Sequence, residues 1–511
     1  MAAMFLFFIL LLLFPLVFIL LLGQNQNKNS KNKIYRSPPG PPRLPLIGNL
    51  HQFANAKPNR HEYLRNLANE YGPGLISLKL GTVPVVVISS AKTAKEALKT
   101  HDLAFSGRKA LVGSHKYSYN GLDVAFSQYG DYWREMKKVS VLHLFTQKRV
   151  RSFRPILEDE VSILIEEISD LSSNDQVINL SSMVMNLAST LICRIGFSMK
   201  YEKGEHQRRR FDRMLLELQA MSGGFFYSDY LPLLGWIDKL NGMFARLNKN
   251  FKELDLFYQE LIDEHQSLKR PDTIRNDFLD LLLQIKQEKL APFDVTWDHI
   301  KAMLKNIFVA GTDTSASLIE WAMTALMKNP SAMKRVQAEI RDLVWKKGSL
   351  LTGEEILLQE LPYLDAVIKE TFRLYPPTPL LLPRETIQSC TVEGYDIEPK
   401  TMVFINAWAI GRDPECWQNP EEFDPERFLI NSNIDVKGNN FELIPFGTGR
   451  RICPAISLGL STIKVTLANL LYSFDWELPS GMKLEEIDTT GLPGISSHKK
   501  LPLCLLAKKY N

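Results

Sequence analysis

The sequence predicts a mainly α-helical domain with small β-sheets, preceded by an N-terminal membrane anchor. Residues 2–22 are almost entirely apolar, and no charged residue precedes Lys28. Residues 76–88 alternate apolar side chains around Gly81 and Pro84, which is the pattern of a strand hairpin. Later segments repeat apolar residues with helical spacing, and the longest of them runs for about 33 residues, from 296 to 328.

Composition limits the class of protein. The chain has 511 residues, 45% of them apolar, and no long linker or internal repeat after residue 45, which favours one large domain. A net charge of +4 is mild and does not indicate a nucleic-acid partner. Five scattered cysteines argue against a disulfide framework and for a reducing compartment. There is no C-x-x-C pair, so a zinc site is not expected.

Residues 1–23 are the predicted transmembrane anchor. They are long enough to cross a bilayer, and they lack the basic start and small-residue cleavage site of a removed signal. Residues 24–45 form a basic, proline-rich hinge, whose prolines at 38–42 predict a stiff spacer, with a flexible linker as the alternative. Because positive charge follows the anchor, residues 46–511 are expected in the cytosol.

Helices are predicted by apolar periodicity along most of the remaining chain. They cover residues 91–99, 129–142, 154–171, 179–195, 208–221 and 240–265. Residues 114–127 are rich in Ser, Gly, Tyr and Asn and predict a long loop, an element that often carries specificity. Residues 225–232 form an aromatic loop, which is either packed core or a lid that also enters the membrane.

A short segment near the C-terminus, FGTGRRICPA at residues 446–455, combines features of a metal-binding thiolate. Its glycines permit close approach of another group, and Pro454 suits the first turn of a helix. Residues 458–471 continue an apolar helical pattern. Cys453 is therefore predicted at a helix N-terminus, where the dipole lowers a thiol pKa. The alternative is a surface turn with a buried structural cysteine.

The centre of the longest predicted helix breaks a local rule. Residues 310–315 are AGTDTS, and a glycine with four polar residues is unfavourable inside an apolar helix. Such a violation indicates function, because real sequences depart from local preference mainly at functional sites. The alternative is a buried Ser/Thr cluster whose hydroxyls bond to preceding carbonyl groups.

Two motifs, F-x-x-G-x-R-x-C at 446–453 and A-G-x-D-T at 310–314, resemble those of the cytochrome P-450 family. The resemblance extends from residue 36 onward and is to the plant microsomal type, nearest the aldoxime-metabolising branch. It implies the P-450 fold and haem b (iron protoporphyrin IX), with Cys453 as the axial ligand of the iron. Ala455 stands where the family often has glycine.

The resemblance also implies a reaction and its residues. One oxygen atom from O₂ is inserted into a small lipophilic substrate. Thr314 is expected to stabilise oxygen and relay protons with Asp313 as its acid partner, while Ala310 and Gly311 leave room for O₂ and substrate. The residues expected to surround the haem or its propionates are Phe446, Gly447, Arg451, Trp133, Lys137, Arg108 and Arg384.

Further residues match parts of the family that lie around the haem. Glu370 and Arg373 form an E-x-x-R motif that Arg427 is expected to complete as a buried charge triad. Lys137 replaces the arginine of the family's W-x-x-x-R motif and lacks its planar fork. The substrate-contact candidates are Leu380, Leu381 and Ile495.

Electrons must come from a partner, because the chain has no G-x-G-x-x-G or P-loop motif. The resemblance implies an NADPH-dependent flavoprotein reductase on the endoplasmic reticulum membrane, where this chain is anchored by a single span. A basic cluster suits docking of an acidic partner, although it is equally compatible with a solvated face. Its members are Arg134, Lys137, Lys138, Lys148, Arg149 and Arg151.

Three alternative functions stay open at this point. Residues 225–229, 251–255 and 406–410 resemble the branch that oxidises aldoximes. A non-oxygenating haem-thiolate isomerase or dehydratase has the same fold but needs no proton relay, so Thr314 disfavours it. A membrane-tethered protein that holds haem for binding or electron transfer is disfavoured by the small residues at 310 and 311.

Overall fold

The computed structural model describes residues 36–55, 59–199, 206–267, 277–347, 353–358, 360–492 and 494–510. The predicted anchor and the first part of the hinge lie outside these residues. The α-helices are α1 Leu50–Asn55, α2 Arg60–Tyr71, α3 Ala91–Lys95, α4 Val112–Tyr117, α5 Asp131–Val139, α6 Gln147–Ser152, α7 Arg154–Ser173, α8 Leu180–Phe197, α9 His206–Ser222, α10 Tyr227–Tyr230, α11 Ile237–Leu240, α12 Met243–Gln266, α13 Phe278–Gln287, α14 Trp297–Lys328, α15 Pro330–Lys347, α16 Gly353–Leu358, α17 Pro362–Leu374, α18 Ala407–Ile410, α19 Glu426–Ile430 and α20 Ile456–Ser473.

The strands form three small sheets. They are β1 Leu75–Leu80, β2 Val83–Ile88, β3 Ile178–Asn179, β4 Arg384–Glu385, β5 Cys390–Val392, β6 Tyr395–Ile397, β7 Met402–Ile405, β8 Phe474–Glu477 and β9 Cys504–Lys509. The largest sheet has the order β1-β2-β7-β4, the second β3-β9-β8, and the third β5-β6. The predicted hairpin is present, with Leu75 opposite Ile88 in an antiparallel pair.

The long helix α14 runs through the middle of the helical core, packed along α8 and flanked by α17 and α20. It begins after Thr296, a capping residue, and ends at Asn329 before the proline that opens α15. Helix α8 is apolar and long enough to span a membrane, but most of it is buried inside the domain. It is therefore a core helix, held by its contact with α14.

The described part of the proline-rich hinge lies on the domain. The backbone N–H of Ser77 donates to the carbonyl oxygen of Pro39 at 2.7 Å. The side-chain amide of Asn49 donates to the carbonyl oxygen of Pro42 at 2.9 Å. A Cβ atom on Gly40 would lie 2.0 Å from the carbonyl oxygen of Ser77, so only glycine permits this close approach. Residues 36–42 are thus fixed against β1.

Two predicted elements differ in the structure. The segment 114–127, predicted as a loop, begins inside α4, and the predicted helix 129–142 continues beyond Val139 as a π-helical turn, Ser140–Leu144. Residues 225–240 contain two short helices, with Phe226 and Tyr230 buried. Leu233 and Leu240 are 89% and 77% exposed. Phe226 and Tyr230 are therefore core, while Leu233, Leu240 and Trp236, which is 57% exposed, face outward.

Candidate active site

Cys453 lies in a tight turn just before α20. Its backbone N–H donates to the carbonyl oxygen of Phe446 at 3.0 Å, and the N–H of Ala455 donates to its sulfur. Helix α20 starts only at Ile456, so Pro454 precedes the helix and does not open it. The thiol is half-buried and unpaired with another cysteine. The loop thus holds one sulfur atom with a backbone donor directed at it.

The pKa of Cys453 differs from the prediction. Burial raises the pKa of the thiol, and the N–H of Ala455 and the positive charge of Lys137 only partly oppose this. The net lowering expected at a helix N-terminus is therefore absent from the polypeptide by itself, because burial outweighs the donor N–H of Ala455, the N-cap residue of α20. A metal ion deprotonates a coordinating thiol outright, so metal binding would remove this proton.

Gly449 has a role that the sequence did not indicate. Its φ is +66°, and a Cβ atom there would lie 2.6 Å from Oδ1 of Asp102. The Asp102 carboxylate accepts from the backbone N–H of Arg450 at 3.2 Å and from its guanidinium at 2.7 Å. The glycine therefore makes room for Asp102, which fixes the loop from outside.

One stripe of α14 is accessible although the helix around it is buried. The stripe consists of Asn306, Val309, Ala310 and Thr314, which share one face of the helix because its period is 3.6 residues. An accessible stripe in the middle of a core helix marks an open space beside it. Gly311 also packs against α8: a Cβ there would lie 2.4 Å from Ile192, so this glycine permits close packing of two helices, and its predicted role in leaving room for O₂ stays a prediction.

Thr314 and Asp313 make different contacts. The hydroxyl of Thr314 donates to the carbonyl oxygen of Ala310 at 2.7 Å. The buried carboxylate of Asp313 lies 2.5 Å from Nε2 of His498. Burial raises the pKa of Asp313, but the hydrogen bond and charge of His498 outweigh it, so the pKa is lowered. Their partnership in proton relay stays a prediction.

The Ser/Thr cluster does not satisfy all its own hydroxyls. Thr314 bonds back to its own helix, but the buried hydroxyl of Thr312 has no hydrogen-bond partner among the described residues. An unsatisfied buried polar group is costly, so it calls for an explanation. Self-satisfied packing therefore does not account for this segment.

Three arginines that were predicted to meet the haem propionates are brought together. Arg108, Arg384 and Arg451 are all buried, and their guanidinium groups donate to backbone carbonyls at 2.5–2.9 Å. These carbonyls belong to Ser106, Ala125, Ser127, Leu382, Pro383 and Thr448. Burial lowers all three pKa values, that of Arg384 to about 10 and that of Arg451, which also faces Arg384, to about 9.

This cluster carries more positive charge than its acidic neighbours offset. Arg384 lies 3.7 Å from Asp102, but Asp102 is already bound at 2.7 Å by Arg450. Lys137 adds a fourth cation, and burial followed by repulsion from Arg451 lowers its pKa to about 8. A ligand with two carboxylates, as haem has, would compensate this charge. The residues present therefore fit haem.

Trp133 and Lys137 both lie against the segment before Cys453, and their predicted contact with a haem propionate stays a prediction. The Trp133 indole N–H donates to the carbonyl oxygen of Val124 at 2.9 Å, and its ring lies 4.1 Å from the guanidinium of Arg451. The Lys137 ammonium donates to the carbonyl oxygen of Ile452 at 3.0 Å. Because Lys137 points into the loop, it does not belong to the exposed basic cluster in which the sequence had also placed it.

The predicted charge triad is assembled behind the loop. Arg373 donates twice to the carboxylate of Glu370, both times at 2.7 Å, and Arg427 donates to it at 3.1 Å. The side chains of Glu370 and Arg373 are fully buried. Arg373 also donates to three backbone carbonyls, those of Gly411, Pro420 and Glu422. The triad thus ties α17 to the segment leading into α19.

The substrate-contact candidates lie in two places. Leu380 and Leu381 are half-buried, and Leu381 has a positive φ of 50°. Its Cδ1 lies 3.9 Å from the position that a Cβ atom would take if Gly447 were replaced by another residue. Ile495 lies near Gly223, just after α9. The Cγ1 of Ile495 would be 3.8 Å from a Cβ atom added to Gly223. The first pair therefore borders the cysteine loop, whereas Ile495 covers the end of another helix.

Comparison with known proteins settles the family. The sequence model of the cytochrome P-450 family matches residues 38–505. The chain belongs to this family. It is similar to a 6,7,8-trihydroxycoumarin synthase of Pastinaca sativa, 48% identical over 480 residues and 93% of each chain. A 5-OH-xanthotoxin synthase of Ammi majus is also 48% identical, over 479 residues and 93% of each chain.

Solved structures of cytochromes P-450 have the same fold as this chain. A zebra fish cytochrome P-450 with progesterone has a TM-score of 0.74 and 26% sequence identity, covering 88% of this chain and 99% of that one. The predicted fold, the haem cofactor and the enzyme class, a monooxygenase, are thereby confirmed for this P-450.

Sequence reasoning missed His498 and Asp102, two residues that organise this site. His498 stands in SSHKK, where adjacent lysines suggest a solvated segment, and it is 185 residues from its partner Asp313. Asp102 follows a π-helical turn and carries no motif. Only the folded chain brings either residue to its partner.

Proposed function

We propose that this P-450 inserts one oxygen atom from O₂ into a small lipophilic metabolite, with Cys453 as the thiolate ligand of the haem iron. The observation that carries this proposal is the half-buried Cys453 sulfur, held by the N–H of Ala455 next to a cluster of buried cations. Haem, when bound, supplies the activation of O₂. The polypeptide binds it, excludes water and moves protons.

The buried cations would hold the haem by its propionates. Arg108, Arg384 and Arg451 present charged donors from three different segments, and Lys137 adds a fourth. Charge-assisted hydrogen bonds of this kind are strong because they compensate charge that is otherwise buried unpaired. Trp133 would act through its ring, which lies against Arg451 and keeps that guanidinium in place.

Thr314 and Asp313 would handle protons. The Thr314 hydroxyl lies on the accessible stripe of α14 and can exchange its bond to Ala310 for one directed into the open space. Asp313, on the neighbouring face, would hold the proton that replenishes the threonine. Ala310 contributes only a methyl group to the stripe and leaves room for O₂ and substrate.

The substrate class is an oxygenated aromatic molecule. Both plant relatives are named for making hydroxylated coumarin-type products. Asn306 supports such a substrate: its Oδ1 accepts from Lys305 at 3.0 Å, which leaves its NH₂ group as a donor on the accessible stripe. Leu380 and Leu381 would pack on the ring. An aldoxime is the alternative substrate.

Electrons would come from an NADPH-dependent flavoprotein reductase. The surface next to the cysteine loop carries exposed cations on α5, α6 and the loop itself, namely Arg134, Lys138, Lys148, Arg151 and Arg450. An acidic partner docked there would lie close to Cys453, because Lys137 of α5 contacts the residue before it.

The enzyme would sit on the endoplasmic reticulum membrane through residues 1–23, with its catalytic domain in the cytosol. A second apolar contact supports this position. Leu233, Trp236 and Leu240 are exposed, as are Leu44 and Leu46 of the hinge region. In the β1–β2 turn, the N–H of Thr82 donates to the carbonyl oxygen of Tyr230 and the N–H of Gly81 to that of Ile47, which holds these segments near one another.

The proposal is tested by the carbon monoxide difference spectrum of the reduced full-length protein. Sulfur ligation predicts the red-shifted Soret band, and Cys453→Ala should abolish it, while Cys504→Ala should leave it intact. A substrate screen with reductase and NADPH should then yield a hydroxylated coumarin-type product. Absence of the band, or its survival in Cys453→Ala, would overturn the proposed ligand. Turnover without NADPH would instead indicate an isomerase or dehydratase.

A further inference from the structure

A cavity of about 270 Å³ opens between the start of α8, the middle of α14 and the C-terminal segment. Its wall includes Glu320, His498, Lys499 and Lys500, together with Asn179 and the two serines that follow it at 181 and 182. The volume is enough for several water molecules, each of which occupies about 30 Å³ in the liquid. This cavity does not belong to the accessible stripe of α14.

His498 connects this cavity to Asp313. Its Nε2 lies 2.5 Å from Oδ1 of Asp313, and its Nδ1 lies 3.9 Å from Oε2 of Glu320, which lines the cavity. Asp313 and Glu320 both belong to α14, seven residues or about two turns apart. The imidazole therefore has one nitrogen on the buried acid and the other on the side of the cavity.

The charged groups around the imidazole favour its protonated form. From α14 it faces Asp313 and Glu320, and from its own segment Lys499 and Lys500 line the same cavity. Lys499 is directed away, since its ammonium donates to the carbonyl oxygen of Asp488. The neighbours from α8 and α9, Ser181 and Gln219, are uncharged; they bond to Glu320 and Asp313 respectively.

We propose that His498 is the proton inlet of this P-450, passing protons from water in the cavity to Asp313. The inference rests on the proposed role of Asp313 in the proton relay and adds the route by which that acid is recharged. His498 is a positioning residue in this scheme, because it acts through Asp313 and touches neither haem nor substrate.

The transfer is balanced at each atom. The charged ring passes its Nε2–H proton to the Asp313 carboxylate, so that the acid and the ring both become neutral. Cavity water delivers the replacement proton to the ring, and that water takes up a proton from bulk solvent, so that no hydroxide remains. Rotation of the ring, or exchange of its proton with cavity water, restores the Nε2–H form. Glu320 supports the Nδ1–H proton electrostatically during the step.

Proximity to two carboxylates outweighs burial and raises the pKa of His498. In water the ordinary pKa is about 6.5, so the raised value keeps the ring charged into the neutral range. The folded protein therefore holds this proton more tightly than the unfolded chain does. The linked stability is fully present below pH 6.5 and is lost as pH rises through the raised value.

The inference is tested with His498→Gln, which keeps a hydrogen-bond donor but cannot titrate. His143→Gln, in the π-helical turn after α5, is the matched control. Both full-length proteins should show the unaltered carbon monoxide band and unaltered peroxide-driven turnover. In His498→Gln, product formed per NADPH should fall by about tenfold or more, since positioned acids contribute at least that much. In the wild type, the product formed per NADPH (the coupling) should fall as pH rises. In the variant, it should no longer depend on pH.

A second readout is independent of turnover. The wild-type Tm should decline as pH rises from 6.5 through the raised pKa, and this decline should be missing in His498→Gln and smaller in Asp313→Asn, where Glu320 still faces the ring. Wild-type coupling and an unchanged pH profile in His498→Gln would overturn the inlet. Unchanged coupling in Asp313→Asn would overturn the relay on which it rests, while loss of the carbon monoxide band would point to failure of the haem site.

Discussion

The ammonium of Lys137 donates to the carbonyl oxygen of Ile452 at 3.0 Å, which ties α5 to the residue immediately before Cys453. It also donates to the carbonyl oxygen of Arg450. A single side chain thus holds two carbonyl groups of the cysteine loop. The family's arginine at this position differs in shape, and the lysine of this chain uses its compact charge to reach the backbone.

Lys137→Met should therefore loosen the cysteine loop. Two charge-assisted hydrogen bonds are lost, each worth roughly 1.5–3 kcal/mol, so haem per polypeptide should fall and the Tm should drop. Lys137→Arg should retain most of the haem because the charge stays. Haem content and thermal unfolding measure both effects. Lys138→Met, one residue on and exposed, is the control; equal losses in the two methionine variants would contradict a specific role for Lys137.

The buried Arg373 should be essential for folding around haem. Arg373→Ala removes two bonds to Glu370 and leaves that carboxylate buried, a change that costs about 3–5 kcal/mol. We expect no haem incorporation and a strongly lowered Tm.

The control for Arg373 is Arg335→Ala, which breaks an ion pair with Glu426 whose side chains are 53% and 40% exposed. Exposed pairs contribute at most about 1 kcal/mol, so this variant should load haem normally. An Arg373→Ala protein that also loads normally would show that the triad is dispensable.

Local patterns predicted the parts of this enzyme that consist of contiguous residues. The F-x-x-G-x-R-x-C segment, α14 with its polar centre, and the β1–β2 hairpin all depend on neighbours in sequence, and each is present. The three arginines at 108, 384 and 451 were found through family motifs, and the fold brings them together.

Contacts between distant segments could not be predicted from such patterns. The contact of Gly311 with Ile192, which lies 119 residues earlier, is known only from the packing of α8 on α14. The same holds for the pKa of Cys453, which depends on how deeply the loop is buried and on the charge of Lys137 from α5. These properties are set by tertiary structure.

Thr314→Ala should uncouple oxygen consumption from product formation. The change removes the hydroxyl from the accessible stripe while the bulk of the helix stays packed. We expect NADPH consumption to continue and product per NADPH to fall by about tenfold or more, with hydrogen peroxide as the excess product. Thr324→Ala serves as the control. It removes a hydroxyl that also donates to a carbonyl oxygen of its own helix, that of Glu320, at 2.8 Å. Unchanged coupling in Thr314→Ala would remove the assignment.

His61 should make the fold sensitive to acid. Burial, together with the charges of Arg412 and Arg65, lowers its pKa to about 4. The unfolded chain takes up a proton near pH 6.5 while the folded one does not, so stability is present above 6.5 and is lost as pH falls towards 4. His61→Gln should flatten the Tm profile between these values; a profile as steep as the wild type would exclude His61 as the cause.

Reversing exposed charge beside the cysteine loop should slow electron delivery. Lys138 and Arg151 are exposed on α5 and just after it on α6. Glutamate at both positions should repel an acidic reductase, lowering the rate of NADPH-driven turnover several-fold at low salt and less at high salt. Peroxide-driven turnover bypasses the reductase and should not change.

The charge itself needs a control, because any reversal alters the net charge of the enzyme. Lys400→Glu, compared with Lys138→Glu alone, makes the same change in net charge on the turn between β6 and β7, where the side chain is exposed. If docking depends on the local surface, Lys400→Glu should leave NADPH-driven turnover intact at every salt concentration. Equal slowing by both reversals would mean that net charge alone steers the reductase, since a local site responds only to charges within about 10 Å at 0.1 M salt.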